Sequence, residues 1–525
     1  MKNIKSKLIG LFSIFIIALM ASCTDNFYDY NKEGSDPTDE DIPTPVKLGA
    51  FLLQMQEYVV PAQENAYQMS ESLIGHVYGR YFATTNEGWG TSFGTFNASE
   101  DWLNSPFEDA FSNEYGAWNR IKKLTKESGP YFAWSQVLKI ASMHRMTDLY
   151  GPIPYSEISK GTGSITVAYD SQEDVYKTMF EEIEIAIDEL ASFVALYPED
   201  RTMAKFDVVY SGDFSKWVKF ANSLKLRMAL RIVYVDPVLA KTMAESAVSH
   251  PMGVMLKNED NAALLYNGIN PLHIIWNDYT DVRACADIIT YMKGYKDPRI
   301  AQYFQKGKVS GINDYQGLRV GIDPEKTWAL SYSAPVTTKN DRVQWMNASE
   351  ITFARAEGAL RGWSMGGSPK DLYEQAVQLS FEQWSAGDAA NYLNDDKSTQ
   401  AAYDDPKHST NAVSKITIKW KENASDEEKL ERIMTQKWLA MYTLGIEAWS
   451  EQRRTGFPRF FSVPIVRNTD ASLKTRFASR LPYPISESKN NTVNYTDAVQ
   501  NLLNGSDNYS TRLWWDKKTN KPGWE

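Results

Sequence analysis

The strongest constraint on the fold is the spacing of apolar residues, which recur at three- and four-residue intervals over several helical turns. Ser171 begins a capping-box-like Ser-Gln-Glu-Asp, and after it Val175, Met179, Ile183, Ala186, Ile187 and Leu190 fall on one helical face. Asp213 or Ser215 opens a second helix carrying Trp217, Phe220, Ala221, Leu224 and Met228 on one side. Ser349-Glu350 starts a third over 351–360, in which Ala354, Ala356, Gly358 and Ala359 permit close helix contact. Pro369 suits the first position of a helix running through Trp384. The clearest pattern runs from Asp426 to about Arg454, with Leu430, Ile433, Met434, Trp438 and Met441 in register, and predicts one long helix. No sequence repeat stands out, although short helices with small-residue contacts are compatible with helical-repeat packing. An all-α scaffold with minor β content is expected.

Between the helical runs lie long irregular stretches, 84–106, 267–282, 306–344 and 386–412. Loops of this length are usually either disordered or functional. Their Trp, Tyr and Phe, set among Gly and Asn, are not a disordered composition, so ordered, aromatic-bearing loops are expected. The chain holds 16 Trp, 29 Tyr and 22 Phe, which must serve either core or ligand. Trp118, Trp134, Trp217, Trp363, Trp384, Trp438 and Trp449 fall on predicted helices and read as core.

The N-terminus reads as an address. Lys2, Lys5 and Lys7 precede an apolar run over 8–19 that is short for a membrane span, and Met20-Ala21-Ser22-Cys23 follows. Residues 1–22 are expected to be a lipoprotein signal peptide and Cys23 the acylated residue; several acyl chains anchor a protein firmly. Residues 23–45, rich in Asp, Glu, Pro, Asn and Ser, read as a flexible acidic tether, and 46–525 as one large unit. With Cys23 acylated, Cys285 is alone and no intramolecular disulfide forms. Loss of the three signal lysines takes the formal net charge from -10 to -13. That acid excess argues against a nucleic-acid partner, since phosphate contacts need a basic surface.

Motifs for catalysis mostly fail. The sequence has no His-Glu-x-x-His, P-loop, Gly-x-Gly-x-x-Gly or EF-hand loop, and its five histidines lack ligand spacing, so neither metal nor cofactor is expected. Gly90-Thr91-Ser92-Phe93-Gly94 matches the nucleophile-elbow pattern, but lacks the strand before and the helix after that the elbow requires. Acidic doublets such as Asp395-Asp396 and Asp404-Asp405 read as solvated loop charges, with a calcium role there as the alternative. An aromatic binding site is better supported: sugar rings stack on Trp and Tyr while amides reach the hydroxyls. The loop residues with that mixture are Asn86, Trp89, Phe93, Trp276, Asn277, Tyr279, Trp328 and Tyr332.

Several segments, taken in order, resemble the SusD/RagB family of outer-membrane nutrient-binding lipoproteins, particularly its second SusD-like branch. They are 148–157 (DLYGPIPYSE), 296–299 (KDPR), 350–362 (EITFARAEGALRG), 433–458 (IMTQKWLAMYTLGIEAWSEQRRTGFP), 480–484 (RLPYP) and 513–516 (LWWD). Read from the residues alone, these pieces are structural: Glu350, Glu357, Arg453 and Arg454 are charges embedded in apolar helices and expected to pair at helix junctions. The resemblance implies a tetratricopeptide-like helical scaffold under a loop-rich face. It also implies an outer-membrane lipoprotein facing the cell exterior, which delivers a glycan to a SusC-like TonB-dependent transporter and performs no chemistry. Peptide binding of the RagB kind, glycoside hydrolysis and a purely structural lipoprotein are the alternatives. The family implies no ligand-contacting positions, so the site residues rest on the loop composition alone.

Overall fold

The computed structural model describes residues 43–86, 90–161, 166–265, 268–474, 476–503 and 505–522. Cys23, the signal segment and the tether up to residue 42 lie outside them, as does Trp89. The architecture below belongs to the compact unit Gly49–Glu525. Helix Thr44–Val59 begins inside the stretch read as tether.

Beyond that helix, nine further long helices among the described residues make the scaffold: α1 (Glu100–Thr125), α2 (Pro130–Tyr150), α3 (Gln172–Leu196), α4 (Phe214–Arg231), α5 (Pro237–Ser249), α6 (Ala348–Leu360), α7 (Pro369–Gln383), α8 (Asp426–Ala440) and α9 (Gly445–Thr455). Their starts follow local chemistry. The hydroxyls of Ser99, Ser171, Ser368 and Ser425 each accept from a backbone N–H three residues on, and Pro130, Pro237 and Pro369 occupy first turns where no N–H is needed. Asp213 caps α4 through its carboxylate, which accepts from Ser215 N two residues on. Neighbours in sequence pack side by side, α1 on α2, α2 on α3, α3 on α4, α4 on α5 and α6 on α7, with α8 against α6. This is the stacking of consecutive helices that helical-repeat scaffolds use. Among the described residues the strands form three antiparallel pairs: β1 (Phe82–Thr84) with β3 (Val282–Ala284), β2 (Ala262–Leu264) with β6 (Val343–Met346), and β4 (Gly307–Val309) with β5 (Ile312–Asp314).

Two expectations are corrected. The helix predicted from 349 is capped by Asn347, whose side chain accepts from Glu350 N at 2.8 Å, so it starts earlier. The single helix predicted over 426–454 is two helices, broken where Thr443 takes a φ of 75°. The break lets α9 lie against the π-helix Gln68–Gly75 at backbone range: a Cβ on Gly445 would stand 2.3 Å from Gly75 C. Both halves are buried, α8 from Leu430 on and α9 along its whole length, so no exposed stretch marks the break in the sequence.

The family-resembling segments converge at a buried junction. Arg227 of α4 grips Glu350 of α6 through two hydrogen bonds of 2.7 and 2.8 Å. Arg231, fully buried, reaches Glu447 at 2.5 Å, Glu451 at 2.7 Å and Asp148 at 3.0 Å. Arg454 holds Glu357 at 2.7 and 2.6 Å and Glu451 at 2.6 Å. Burial pushes the Glu357 carboxyl up, but Arg454 and Arg361 more than reverse this and hold it at about 2. Arg453 departs from the expected acid pairing and donates to the backbone oxygens of Asp148 and Ser479 at 2.7 and 2.9 Å. Asp148 also accepts from Tyr176 and Trp515, and Asp297 and Arg299 pair with each other inside the core.

Candidate functional site

The β1–β3 pair straps two of the long loops together. Past its end, Thr85 N donates to Asp281 O at 2.9 Å and Thr85 Oγ1 to Thr280 O at 2.5 Å. Asp281 is the hub. One carboxylate oxygen accepts from Asn86 Nδ2 at 2.7 Å and the other from Gln68 Nε2 at 2.8 Å. Lys326, from the third loop, donates to Asn86 Oδ1 at 3.1 Å and to Tyr279 O at 3.0 Å, and lies 3.7 Å from Asp281. Three loops distant in sequence are thereby fixed around one carboxylate. Beside them a cavity of about 380 Å³ is lined by Asn86, Ser92, Thr95, Asp323, Glu325 and Arg467, among others. The Arg467 guanidinium pairs there with Asp323 at 2.7 and 2.8 Å.

On this frame Tyr279 is 40% exposed and Asn277 is exposed, its amide donating to Asp278. Trp276, partly exposed, sits in the π-turn Ile274–Asp278 with its indole N–H donated to Thr337 O at 2.9 Å. His273 Nδ1 meets the same carbonyl at 3.0 Å and packs edge-on against Trp276. Trp328, also partly exposed, lies two residues from Lys326 with the Lys407 ammonium 4.4 Å above its ring.

The structure thus brings Asn86, Asn277, Tyr279 and Trp276 to the Asp281 and Lys326 neighbourhood. It takes Phe93 and Tyr332 inward. Phe93, 1% exposed, packs between Tyr78 and Trp102, so its ring offers no free face and its expected ligand contact is corrected. Tyr332, 4% exposed, donates its hydroxyl to Asp405, and burial together with that carboxylate pushes the phenol well above its ordinary range. Its expected contact is corrected for the same reason. Asp404 and Asp405 are not alike: Asp405 is buried and caps its own loop through the N–H groups of Lys407 and His408. Sequence reasoning passed over Asp281, Lys326 and Gln68. Asp281 follows the aromatic stretch by only two residues, and that adjacency was the available signal.

Ser92 of the elbow-like motif is a turn cap, its hydroxyl accepting from Gly94 N at 3.1 Å. Among the described residues no group of His, Cys, Asp and Glu is placed to hold a metal ion, and no helix is long and apolar enough to cross a membrane.

The described residues thus form a stacked-helix scaffold that pins aromatic loops on one frame. The chain belongs to the SusD-like family: the family model described as Susd and RagB outer membrane lipoprotein matches residues 29–516. Among solved structures it is similar to a SusD homolog from Bacteroides uniformis, at 41% identity and a TM-score of 0.85 over 90% of this chain and 99% of that one. A SusD homolog from Bacteroides thetaiotaomicron is 40% identical with a TM-score of 0.85 over the same shares. A chitin-binding SusD homolog from Flavobacterium johnsoniae is 37% identical with a TM-score of 0.86, over 91% of this chain and 99% of that one. No protein among the curated sequences matches the chain.

Proposed function

We propose that the protein is a cell-surface lipoprotein, anchored through Cys23, that captures an oligomeric glycan on its loop face and delivers it to a SusC-like TonB-dependent transporter. The observation that carries the reading is the grouping of partly exposed Trp276 with exposed Asn277 and Tyr279 on a turn whose backbone is held by Thr85 and Lys326. Aromatic faces stack on sugar C–H surfaces, amides meet hydroxyls, and loops already fixed before binding lose little entropy on it. The chitin-binding relative from Flavobacterium supports a glycan ahead of a peptide. The protein performs no reaction in this reading; energy for import comes from the transporter's side.

The test is calorimetry of the mature chain against chitohexaose, cellohexaose, maltohexaose and a mixed hexapeptide library. At least one hexasaccharide should bind, and Trp276→Ala, Tyr279→Ala and Trp328→Ala should each weaken it about 5- to 100-fold. Equal binding by the wild type and all three variants sinks the site. Binding of peptides alone moves the protein to the RagB-like reading. A transporter co-purifying with the tagged protein from membranes tests delivery, and Cys23→Ser should abolish incorporation of labelled acyl chains.

A further inference from the structure

A second cavity, of about 220 Å³, is lined in part by Thr337, the residue whose carbonyl accepts from Trp276 and His273. Its aromatic lining is Tyr67 with two rings from the helical scaffold, Trp384, just past the end of α7, and Tyr442 between α8 and α9. The last two belong to a stack that runs into the core: Trp384 lies edge-on to Tyr303 at 4.7 Å, and Tyr442 is parallel to Tyr303 at 4.2 Å.

Most polar groups around this cavity already have partners. The Asn270 amide donates to Asp341 O and accepts from Leu272 N. The Asp341 carboxylate accepts from Thr338 N, Arg342 donates to Ala263 O, and the Tyr442 hydroxyl donates to Tyr303 O. Three buried atoms in the lining have none: Gln344 Oε1, Gln383 Oε1 and Trp384 Nε1. A buried polar atom left unpaired costs about 1–3 kcal/mol, and three in one small lining mark a place where something polar belongs. Exchanging O and N in either carboxamide swaps an acceptor for a donor, so the demand is for a ligand that does both.

Charge narrows the choice further. Asp341 and Arg342 are exposed and tied to backbone groups, so a charged ligand would find no buried counterpart. The volume falls below the roughly 300–1,000 Å³ of sites for drug-sized ligands, which leaves room for one ring and not for an oligomer. Hydroxyls both donate and accept, and a pyranose ring has C–H faces for an indole.

We infer that this cavity is a separate subsite for a single uncharged sugar ring, held by Trp384, Gln383 and Gln344. The inference rests on the glycan reading above and adds to it a second place of contact, one that shares Thr337 with Trp276 and is lined by the end of α7, the α8–α9 turn, β6 and the loop before it.

The experiment is calorimetry of the mature chain with chitohexaose, cellohexaose, maltohexaose and hexagalacturonate, alongside melting curves as a control of folding. Gln383→Leu, Gln344→Leu and Trp384→Phe, which keeps a ring and removes the indole N–H, should each weaken the bound neutral hexasaccharide about 5- to 30-fold with little change in melting. Hexagalacturonate should bind at least about tenfold more weakly than that neutral sugar. A neutral hexasaccharide that loses affinity in Trp276→Ala and is unchanged in all three cavity variants overturns the subsite and leaves the glycan reading standing. So does hexagalacturonate binding as tightly as the neutral sugar and depending on Trp384 alike. A wild-type chain that binds none of the four overturns the glycan reading, and the subsite falls with it.

Discussion

At the helix junction Arg231 and Arg454 are fully buried and each meets at least two carboxylates; at the loop face Lys326 stays 35% exposed and shares itself among a carboxylate, an amide and a carbonyl. The aromatics divide in the same way. Trp449 and Trp515 lie within the core under the Arg453 guanidinium, whereas Trp276 and Tyr279 keep surface toward solvent. The junction fixes helix against helix by turning its charges toward one another. The loop face uses one buried carboxylate, Asp281, to hold backbone in place so that the rings beside it stay available. Segments that identify the family therefore lie in the junction, and the residues expected to touch ligand lie elsewhere.

The comparison breaks first at Arg454. Arg454→Ala leaves Glu357 and Glu451 buried without their main partner and should cost about 3–5 kcal/mol in urea unfolding. Glycan affinity per folded molecule should be unchanged. If affinity falls in step with stability, the two regions are not separate.

Acid should find the same junction. Glu447, raised by burial and lowered more strongly by Arg231 and Arg227, sits at about 2 when folded, as Glu357 does, against an ordinary 4.5. Such depressed groups contribute stability that is complete above pH 4.5 and is lost as pH falls toward 2, together on the order of a few kcal/mol. His76 and His144, both held down to about 4 by burial, add a loss between pH 6.5 and 4, because the unfolded chain takes up their protons first. The melting temperature should drop across those windows, and a flat profile from pH 7 to 3 overturns this account.

Gly445→Ala should cost about 1–3 kcal/mol, since the added methyl meets backbone of the π-helix at 2.3 Å. The smallest effect on stability belongs to Tyr279→Ala, within about 0.5 kcal/mol, although that variant should carry one of the losses of affinity.

How much of this was legible varies with how one-sided each element is. Helices α3 and α4 bury one face and showed their period in the sequence. Helix α2 is buried on nearly every side, from Ala133 through Lys139 and His144 to Tyr150, so no apolar stripe marks it. Trp384 read as core because the helical pattern ran through it; α7 ends one residue earlier and turns that ring to the edge of a cavity. The site was legible only in composition. Which carboxylate gathers the loops is settled by contacts across 195 to 240 residues, and Tyr332 turns inward onto an aspartate 73 residues away, so local sequence holds no record of either.

The lone thiol has a practical consequence. Cys285 is buried, donates to Asp287 at 3.2 Å, and is pushed by burial well above the ordinary thiol range, so almost no thiolate is present at neutral pH. A chain begun after Cys23 therefore carries no reactive sulfhydryl in its folded state. One cysteine introduced at exposed Asn277 would take a fluorophore by itself, and the loop face would report its own occupancy as a change in emission.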